Sequence, residues 1–591
     1  MWKTLSILFV VLGSAVAAQQ AADAVAPEAA GAGAFVDLPP AFAEALAQKD
    51  AGAPVVAQNW MIAAANPHAV QAGAEVLATG GTAADALVAV QVMLGLVEPQ
   101  SSGLGGGAFL VWYDAASGEI TTLDGRETAP LAVTPRLFQD EAGAPLKFFD
   151  AVVGGLSVGT PGTPALMAEV HARWGNRDWA SLLQPAIDLA ETGFAVSPRL
   201  AGLVEGDQAR LVSSDVTAAY FMPEGKPVAV GDILKNPAYA ETLRAFAADG
   251  AAVFYGGSIG KDIVATVRGA DNPGVLAEMD LAIYRVKERA AVCAPYRDHE
   301  VCGMGPPSSG AVAVGQILGA LEGYDLSAGP QDATVRRLMG DAARLAFADR
   351  GRYLADSDYV PVPVAGLLDP AYMTGQAMQL DTETALKEVA PGSPDWDHAR
   401  LWADDESIEL PSTSHVSIVD AAGNVASLTT TIENGFGSRL MVGGFLLNNE
   451  LTDFSFRSHK DGVPIANRME PGKRPRSSMA PTIVMKDGAP VMAVGSPGGS
   501  RIIGYVTQAI VGVIDWGLDV QQAVSVPHAV NRFGAYDLEE GTDAEKLSAP
   551  LTDMGFEVNT RALTSGLHMI AIGDDLLGGA DPRREGIAFG D

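Results

Sequence analysis

Cysteine is almost absent: 591 residues contain two, Cys293 and Cys302. That count excludes a disulfide-stapled scaffold, and with no C-x-x-C or Cys-His pattern around them neither thiol reads as catalytic. Nine positions apart, they close one small loop across residues 296–299 if the chain is exported, or otherwise stay as buried thiols. Histidine is also scarce, eight in all, and shows no ligand spacing. His299-Glu300 lacks the second histidine of a zinc helix, and His415 reads as a core group, so neither a metal nor an organic cofactor is expected. Basic charge is short as well: 39 Lys and Arg stand against 71 Asp and Glu, a formal net charge of −32. Such a surface repels phosphate backbones and anionic lipid, which excludes nucleic acid and membrane surfaces as expected partners. Beyond the first residues no run is long and charge-free enough to span a bilayer.

What remains is the composition of a well-buried globular protein, 48% apolar and 19% charged, in which no disordered or fibrous class fits. Length alone suggests several domains, although a layered α/β enzyme can reach this size as one unit. The start of the chain has the parts of a secretory signal: Lys3, an apolar stretch over residues 5–12, and the small-x-small site Ala15-Val16-Ala17. Residues 1–17 are therefore expected to be removed. No cysteine follows that would carry a lipid, so the mature protein is expected to be exported, periplasmic or secreted, without a membrane anchor. Residues 18–50 read as a loose leader.

Along the chain, residues 61–97 read as tightly packed helices. Residues 101–107 are a glycine-rich loop, and residues 108–113 and 119–123 form a hairpin ending at Asp124-Gly125-Arg126. Residues 135–380 are mostly helical, with a period near 3.6 over 163–173 and 179–192. Residues 383–412, rich in Asp, Glu, Pro and Ser, read as an exposed connector. Strand character resumes beyond it: a hairpin over 415–432 turns at residues 420–424, and a second over 481–494 turns at Lys486-Asp487-Gly488. Helices are expected at 502–514 and 520–524. Hairpins packed with helices point to an α+β sandwich. The glycine loop at 103–107 precedes a strand rather than a helix and lacks an acidic follow-up, so it is not a nucleotide loop.

The chemistry concentrates at Pro411-Ser412-Thr413-Ser414-His415, where the connector meets a core strand. Thr429, Thr430 and Thr431 lie on the return strand of that hairpin, where a hydroxyl could face Thr413. Gly495-Ser496-Pro497-Gly498-Gly499 ends the second hairpin and can present adjacent backbone N–H groups to an oxyanion.

These blocks resemble the γ-glutamyltransferase family of N-terminal-nucleophile hydrolases. The likeness rests on Thr413-Ser-His-Val-Ser-Ile, Thr429-Thr-Thr-Ile-Glu433, Leu447-Asn-Asn-Glu-Leu-Thr-Asp-Phe454, Lys473-Arg-Pro-Arg-Ser-Ser478 and Gly495-Ser-Pro-Gly-Gly-Ser-Arg501. Upstream, Gly103-Leu-Gly-Gly-Gly107, Asp124-Gly-Arg-Glu127 and Pro306-Pro-Ser-Ser-Gly310 agree too. The resemblance implies a four-layer αββα sandwich made as one inactive chain. Thr413 would attack the carbonyl of Ser412, leaving a large subunit, 18–412, and a small one, 413–591, as a heterodimer. It further implies that Thr431 orients the Thr413 nucleophile and that Gly498 and Gly499 supply the oxyanion donors. Arg126, Ser477 and Ser478 would hold the carboxylate of a γ-glutamyl donor, and Glu450 and Asp453 its ammonium. Arg126 could otherwise form a surface ion pair with Glu127 or Asp124, and the two serines could be plain caps.

Two departures from the family pattern stand out. Glu433 occupies a place where the best-known members carry Asn, which adds a carboxylate to the ammonium pocket. The stretch from Ser455 to Arg476 is shorter than in members with a long lid, which implies a more open pocket. The expected activity is γ-glutamyl transfer or glutathione hydrolysis, with water, amino acids or peptides as acceptors. A related amidase, a cephalosporin- or glutaryl-type acylase, is the alternative, which Glu433 favours and Arg126 with Ser477-Ser478 opposes. An unprocessed binding protein on the same fold is the third reading.

Overall fold

The structure, a computed structural model, describes Phe35 and residues 38–398, 401–405, 407 and 409–591. The expected signal sequence, residues 1–17, and the leader as far as residue 34 lie outside the described residues.

Two seven-stranded sheets stack face to face. The first runs, edge to edge, Ile587–Gly590, Met61–Ala64, Ser414–Val419, Val425–Thr431, Gly107–Asp114, Glu119–Gly125 and Lys287–Ala290. The second runs Val55–Ala57, Leu576–Ala580, His568–Ile572, Ala489–Gly495, Thr482–Lys486, His299–Gly303 and Val292–Tyr296. Small and β-branched side chains, among them Ala63, Val111, Val425, Ala493 and Ile570, fill the layer between them. Because a strand's side chains alternate faces, the next residues along each strand point outward into a helix layer. Ile62, Leu110, Val416 and Leu428 meet Pro67–Ala78 and Ala83–Val97. Val484, Val494 and Met569 meet Gly310–Leu321 and Ile502–Ile514 on the other side. Helix, sheet, sheet, helix is the αββα order the family resemblance implied.

Ala83–Val97 shows why a central helix forms here. Thr82 and Asp85 cap it reciprocally, and all fifteen of its residues are buried, the pattern of a helix packed on every side rather than an amphipathic one. Among the described residues no helix is long and apolar enough to cross a membrane. Cys293 and Cys302 are direct cross-strand partners and form a disulfide.

Three expectations about local structure are corrected. Residues 61–64 are a strand, not the start of a helix; their small apolar residues are needed inside a sheet covered on both faces. The leader is not loose throughout: Pro40–Asp50 is a helix whose Phe42 stacks on Phe589 at 4.2 Å. Its Lys49 Nζ donates to the carbonyls of Arg584 and Gly586 at 2.7 and 2.8 Å, tying the helix to the last strand. Nor is the connector exposed to its end. Buried Arg476 donates to Asp405 Oδ2 and Ser407 Oγ at 2.8 and 2.7 Å, and Glu409, Leu410 and Ser412 are at most 4% exposed.

Candidate active site

Thr413 immediately precedes the central strand Ser414–Val419, whose pairing of Ser414 with Thr430 brings Thr413 opposite Thr431. Its hydroxyl donates to Thr431 Oγ1 at 3.1 Å, and the Glu433 backbone N–H donates to the same Thr431 oxygen at 2.9 Å. Arg584 Nη1 holds the Thr413 carbonyl at 2.9 Å. On the other side of the junction, the Ser412 hydroxyl donates to the Gln100 carbonyl at 3.0 Å. The backbone at Thr413 has φ 119°. For a β-branched residue that is a strained conformation, worth on the order of 1–3 kcal/mol. Glu433, with φ 75°, is a second non-glycine residue held in the left-handed region beside the first.

The space in front of Thr413 is a small cavity, partly open to solvent. Of the residues singled out by sequence, Thr413, Thr431, Gly499, Arg126, Glu433, Glu450, Asp453, Ser477 and Ser478 all line it. Ser412 adjoins through the chain, and Gly498 stands one residue behind Gly499, backed by the Tyr505 ring. Both glycines have positive φ, 136° and 58°. A Cβ on Gly499 would come within 2.7 Å of the Leu410 carbonyl carbon and oxygen, so only glycine fits there. The turn leads into Ile502–Ile514, whose first residue lines the cavity beside Gly499. The loop at 103–107 has a packing role: a Cβ on Gly106 would fall 1.9 Å from the Thr431 carbonyl oxygen.

One feature departs from the sequence expectation. Arg126 and the two acids expected to hold opposite ends of a donor are paired with each other. Arg126, 1% exposed, donates to Glu450 Oε1 through Nη1 and to Asp453 Oδ2 at 2.5 Å through Nη2. Its Nε and Nη2 also reach the Pro475 and Arg476 carbonyls at 3.2 and 3.0 Å. Neither a surface ion pair with Asp124 nor one with Glu127 describes it, although Glu127 lies 3.9 Å away as a fourth buried carboxylate. Burial opposes the Arg126 charge, but Glu450 and Asp453 outweigh it and hold the guanidinium protonated. Burial pushes Glu433, Glu450 and Asp453 well above the usual carboxylate range; the neighbouring Asp453 adds to this at Glu433, and Arg126 opposes it at the other two. Glu433 is fixed by Asn449 Nδ2, which donates to it at 2.5 Å, and by the Leu410 N–H at 3.2 Å. Four carboxylates thus surround a single guanidinium, and the pocket is short of positive charge.

Burial also pushes Glu127 up from the ordinary 4.5 to about 8, against the Arg126 charge. A carboxyl that keeps its proton in the folded state but loses it in the unfolded one makes stability fall as pH rises between those values. Glu127→Gln is therefore expected to lose less melting temperature between pH 5 and pH 8 than the parent, by scanning calorimetry; equal slopes would remove Glu127 from the account.

Sequence reasoning missed Arg584, Asn449, Glu127, Arg350 and Glu409. Arg350 sits in the long helix Ala333–Tyr353 and Glu409 in an acidic connector. In both settings a charged residue ordinarily faces solvent, so the sequence carried no sign of their burial. Among the described residues no group of three or more His, Cys, Asp or Glu side chains is placed to hold a metal ion.

An αββα sandwich with a buried threonine hydroxyl at the start of a central strand, facing a glycine turn, defines the N-terminal-nucleophile hydrolase class. Within it, the chain belongs to the gamma-glutamyltranspeptidase family, whose model matches residues 69–590. It is 36% identical over 550 residues to the glutathione hydrolase proenzyme of Bacillus subtilis (strain 168), covering 90% of this chain and 92% of that one. It is 35% identical over 547 residues to the acylase ACY 1 proenzyme of Pseudomonas sp. (strain SE83), covering 90% and 94%. Among solved structures, cephalosporin acylase from Bacillus halodurans superposes with a TM-score of 0.80 at 27% identity, covering 91% of this chain and 97% of that one. The chain is accordingly a self-processing enzyme of the gamma-glutamyltranspeptidase family.

Proposed function

We propose that the chain cuts itself between Ser412 and Thr413 and then cleaves γ-glutamyl amides such as glutathione through a γ-glutamyl-Thr413 ester. The observation that carries this reading is the Thr413 hydroxyl, bonded to Thr431 at 3.1 Å, in one cavity with a glycine turn and a carboxylate-rich charge cluster. In the first stage the Thr413 oxygen attacks the Ser412 carbonyl carbon. The peptide nitrogen leaves with the hydroxyl proton, and water splits the resulting ester. The φ strain at Thr413 is defined through the Ser412 carbonyl carbon, so departure of that carbon relieves it. The cut yields a large subunit, 18–412, and a small one, 413–591.

A hydroxyl needs a proton acceptor within reach, and the freed α-amino group, with a reference pKa of about 7.7–8.0, supplies one. It takes the Thr413 proton as the oxygen attacks the donor's γ-carbonyl and returns it to the departing amine. Gly498 and Gly499 donate to the tetrahedral oxygen, and water or an acceptor amine then attacks the ester. Glu433, Glu450 and Asp453 suit the donor's ammonium, while Ser477, Ser478 and Arg126 serve its carboxylate. Thr431→Val keeps shape but removes the hydrogen bond that aims the nucleophile. It is expected to lower kcat about 10- to 100-fold with little change in KM, measured on self-cleaved enzyme.

Export, with the mature enzyme periplasmic or secreted, belongs to the same reading and rests on the signal-like residues 1–17. A second reading, an acylase acting on glutaryl or cephalosporin-type amides, is favoured by the likeness to the Bacillus halodurans acylase over 91% of the chain. The carboxylate excess argues against it, since a glutaryl group brings no cation. Turnover of γ-glutamyl-p-nitroanilide by self-cleaved enzyme, with and without glycylglycine, tests the choice. Release stimulated by glycylglycine supports transfer to amines, and release without stimulation supports hydrolysis. A cut protein inert toward this donor but active on glutaryl-p-nitroanilide would give the acylase reading the lead.

A further inference from the structure

The pocket in front of Thr413 sets two demands against each other. Glu433, Glu450 and Asp453 line it and suit an ammonium, yet the freed α-amino group of Thr413 must be neutral to act as a base. Nearby carboxylates favour the protonated form of any amine and so raise its pKa. A cation placed against Thr413 from outside the cavity wall would counter them. Arg584 is so placed.

Arg584 is 2% exposed and donates from Nη1 to the Thr413 carbonyl oxygen at 2.9 Å. It is not among the residues lining the cavity. A guanidinium bonded to that oxygen lies roughly 4–6 Å from the nitrogen of the same residue, where a like charge lowers an amine's pKa. Two contacts fix the arginine. Its stem lies against Gly566, where a Cβ would come within 2.7 Å of Arg584 Cδ. Its own carbonyl accepts from Lys49 Nζ at 2.7 Å, which brings a second buried cation to this end of the sheet. Before the cut, Thr413 is anchored through the chain on both sides. Afterwards only its carbonyl side is anchored, so the Arg584 bond governs where the amino group points.

The other charged and titratable groups around Thr413 leave this arrangement intact. Burial, with Lys49 and Arg584 nearby, pushes His568 from 6.5 down to about 3, and burial also holds His415 neutral. Asp581 pairs with Arg583 at 3.0 Å, Glu98 pairs with Arg199 at 2.6 Å, and Glu585 accepts from the Arg199 N–H at 3.0 Å. On the cavity side, Glu127, Glu450 and Asp453 share Arg126, and Glu409 pairs with Arg350. Glu433 accepts from two neutral donors, Asn449 Nδ2 and the Leu410 N–H.

We propose that Arg584 is a positioning residue for the catalytic base: it fixes the Thr413 carbonyl so that the freed amino group stays beside its own hydroxyl, and its charge keeps that group neutral in an acid-rich pocket. This rests on the reading above, in which the α-amino group is the base, and adds to it the residue that tunes that base.

The test is the pH profile of kcat/KM for γ-glutamyl-p-nitroanilide, per cut chain, in parent, Arg584→Gln and Arg584→Lys. If the parent accepts only glutaryl-p-nitroanilide, the profiles are taken on that donor. In acid, kcat/KM falls as the base of the free enzyme takes up a proton. Arg584→Gln is expected to move this limb up by about one pH unit. It then turns over about tenfold more slowly below the limb and within about threefold of the parent above it. Arg584→Lys keeps the charge, and its limb should stay within about 0.3 unit of the parent's. Both chains should still cut, because before the cut there is no amino group to tune. A loss equal at every pH overturns the proposal, as does a lysine variant whose limb moves as far as the glutamine one. A folded Arg584→Gln chain that stays uncut overturns it too. If Arg584→Gln does not melt cooperatively, Arg584→Met, which keeps an apolar stem without the charge, is scored in its place. A parent with no acid limb between about pH 5 and 9 sinks the α-amino base itself, whatever the variants do.

Discussion

A Thr413→Ala chain is expected to remain one uncut polypeptide on a denaturing gel and to lose γ-glutamyl amide turnover by at least about 10⁴-fold, the scale on which removing an enzymatic nucleophile is felt. Both losses follow from a single oxygen. Without it, nothing attacks the Ser412 carbonyl, so no free α-amino group is made, and nothing remains to carry an acyl ester. Thr413→Ser separates the oxygen from the methyl: it is expected to cut more slowly and to retain part of the activity. The Thr431 hydroxyl 3.1 Å away can still aim a serine, but the serine lacks the branched Cβ that limits χ1. An alanine variant that still splits before residue 413 would place the scission chemistry elsewhere.

Arg126→Gln carries the second large effect. It removes the one guanidinium that Glu450 and Asp453 share at 1% exposure. Breaking a buried ion pair by deleting one partner costs about 3–5 kcal/mol, because the remaining charge is left uncompensated. Here two acids are left, and they escape by protonating. Their folded-state pKa values, already raised, rise further, so the deficit grows as pH climbs past the ordinary carboxylate range and is smallest in acid. Melting temperatures at pH 5 and pH 8 are expected to show a wider gap to the parent at pH 8. Donor KM should rise by about 10²-fold or more, since pocket geometry and donor orientation fail together. A variant with parental stability at both pH values would show that the four acids do not depend on Arg126.

Much of this was legible in the sequence because it depends on local rules. The hairpins over 414–431 and 482–495 announce themselves by alternation and turn residues, and the glycine turn follows from where the second one ends. What stayed hidden depends on long-range burial. Lys49, read as part of a loose leader, is buried because two carbonyls of the C-terminal segment accept its protons. Glu409 sits in a stretch whose composition matches a solvated linker, yet Arg476 pulls that stretch inward through Asp405 and Ser407. Arg350 occupies a helix position where a charge ordinarily faces water. The identities of Arg126, Glu450 and Asp453 could be read from motifs, but their pairing with one another could not, because it requires residues 126 and 450 to meet across the fold.

Each sheet combines strands that precede Thr413 with strands that follow it: in the first, Met61–Ala64 lies between Ile587–Gly590 and Ser414–Val419, and Val425–Thr431 pairs with Gly107–Asp114. Cutting the peptide therefore converts the middle of a protein into the interface of a dimer without moving a strand. The uncut chain finds these partners at no cost of encounter, whereas two separated halves must meet in solution, and their association depends on concentration. Unfolded precursor should regain its structure with a yield indifferent to dilution, while unfolded mature enzyme should recover less the more it is diluted. Synthesis as a single chain is, on this view, the assembly factor, spent once the two halves are in place.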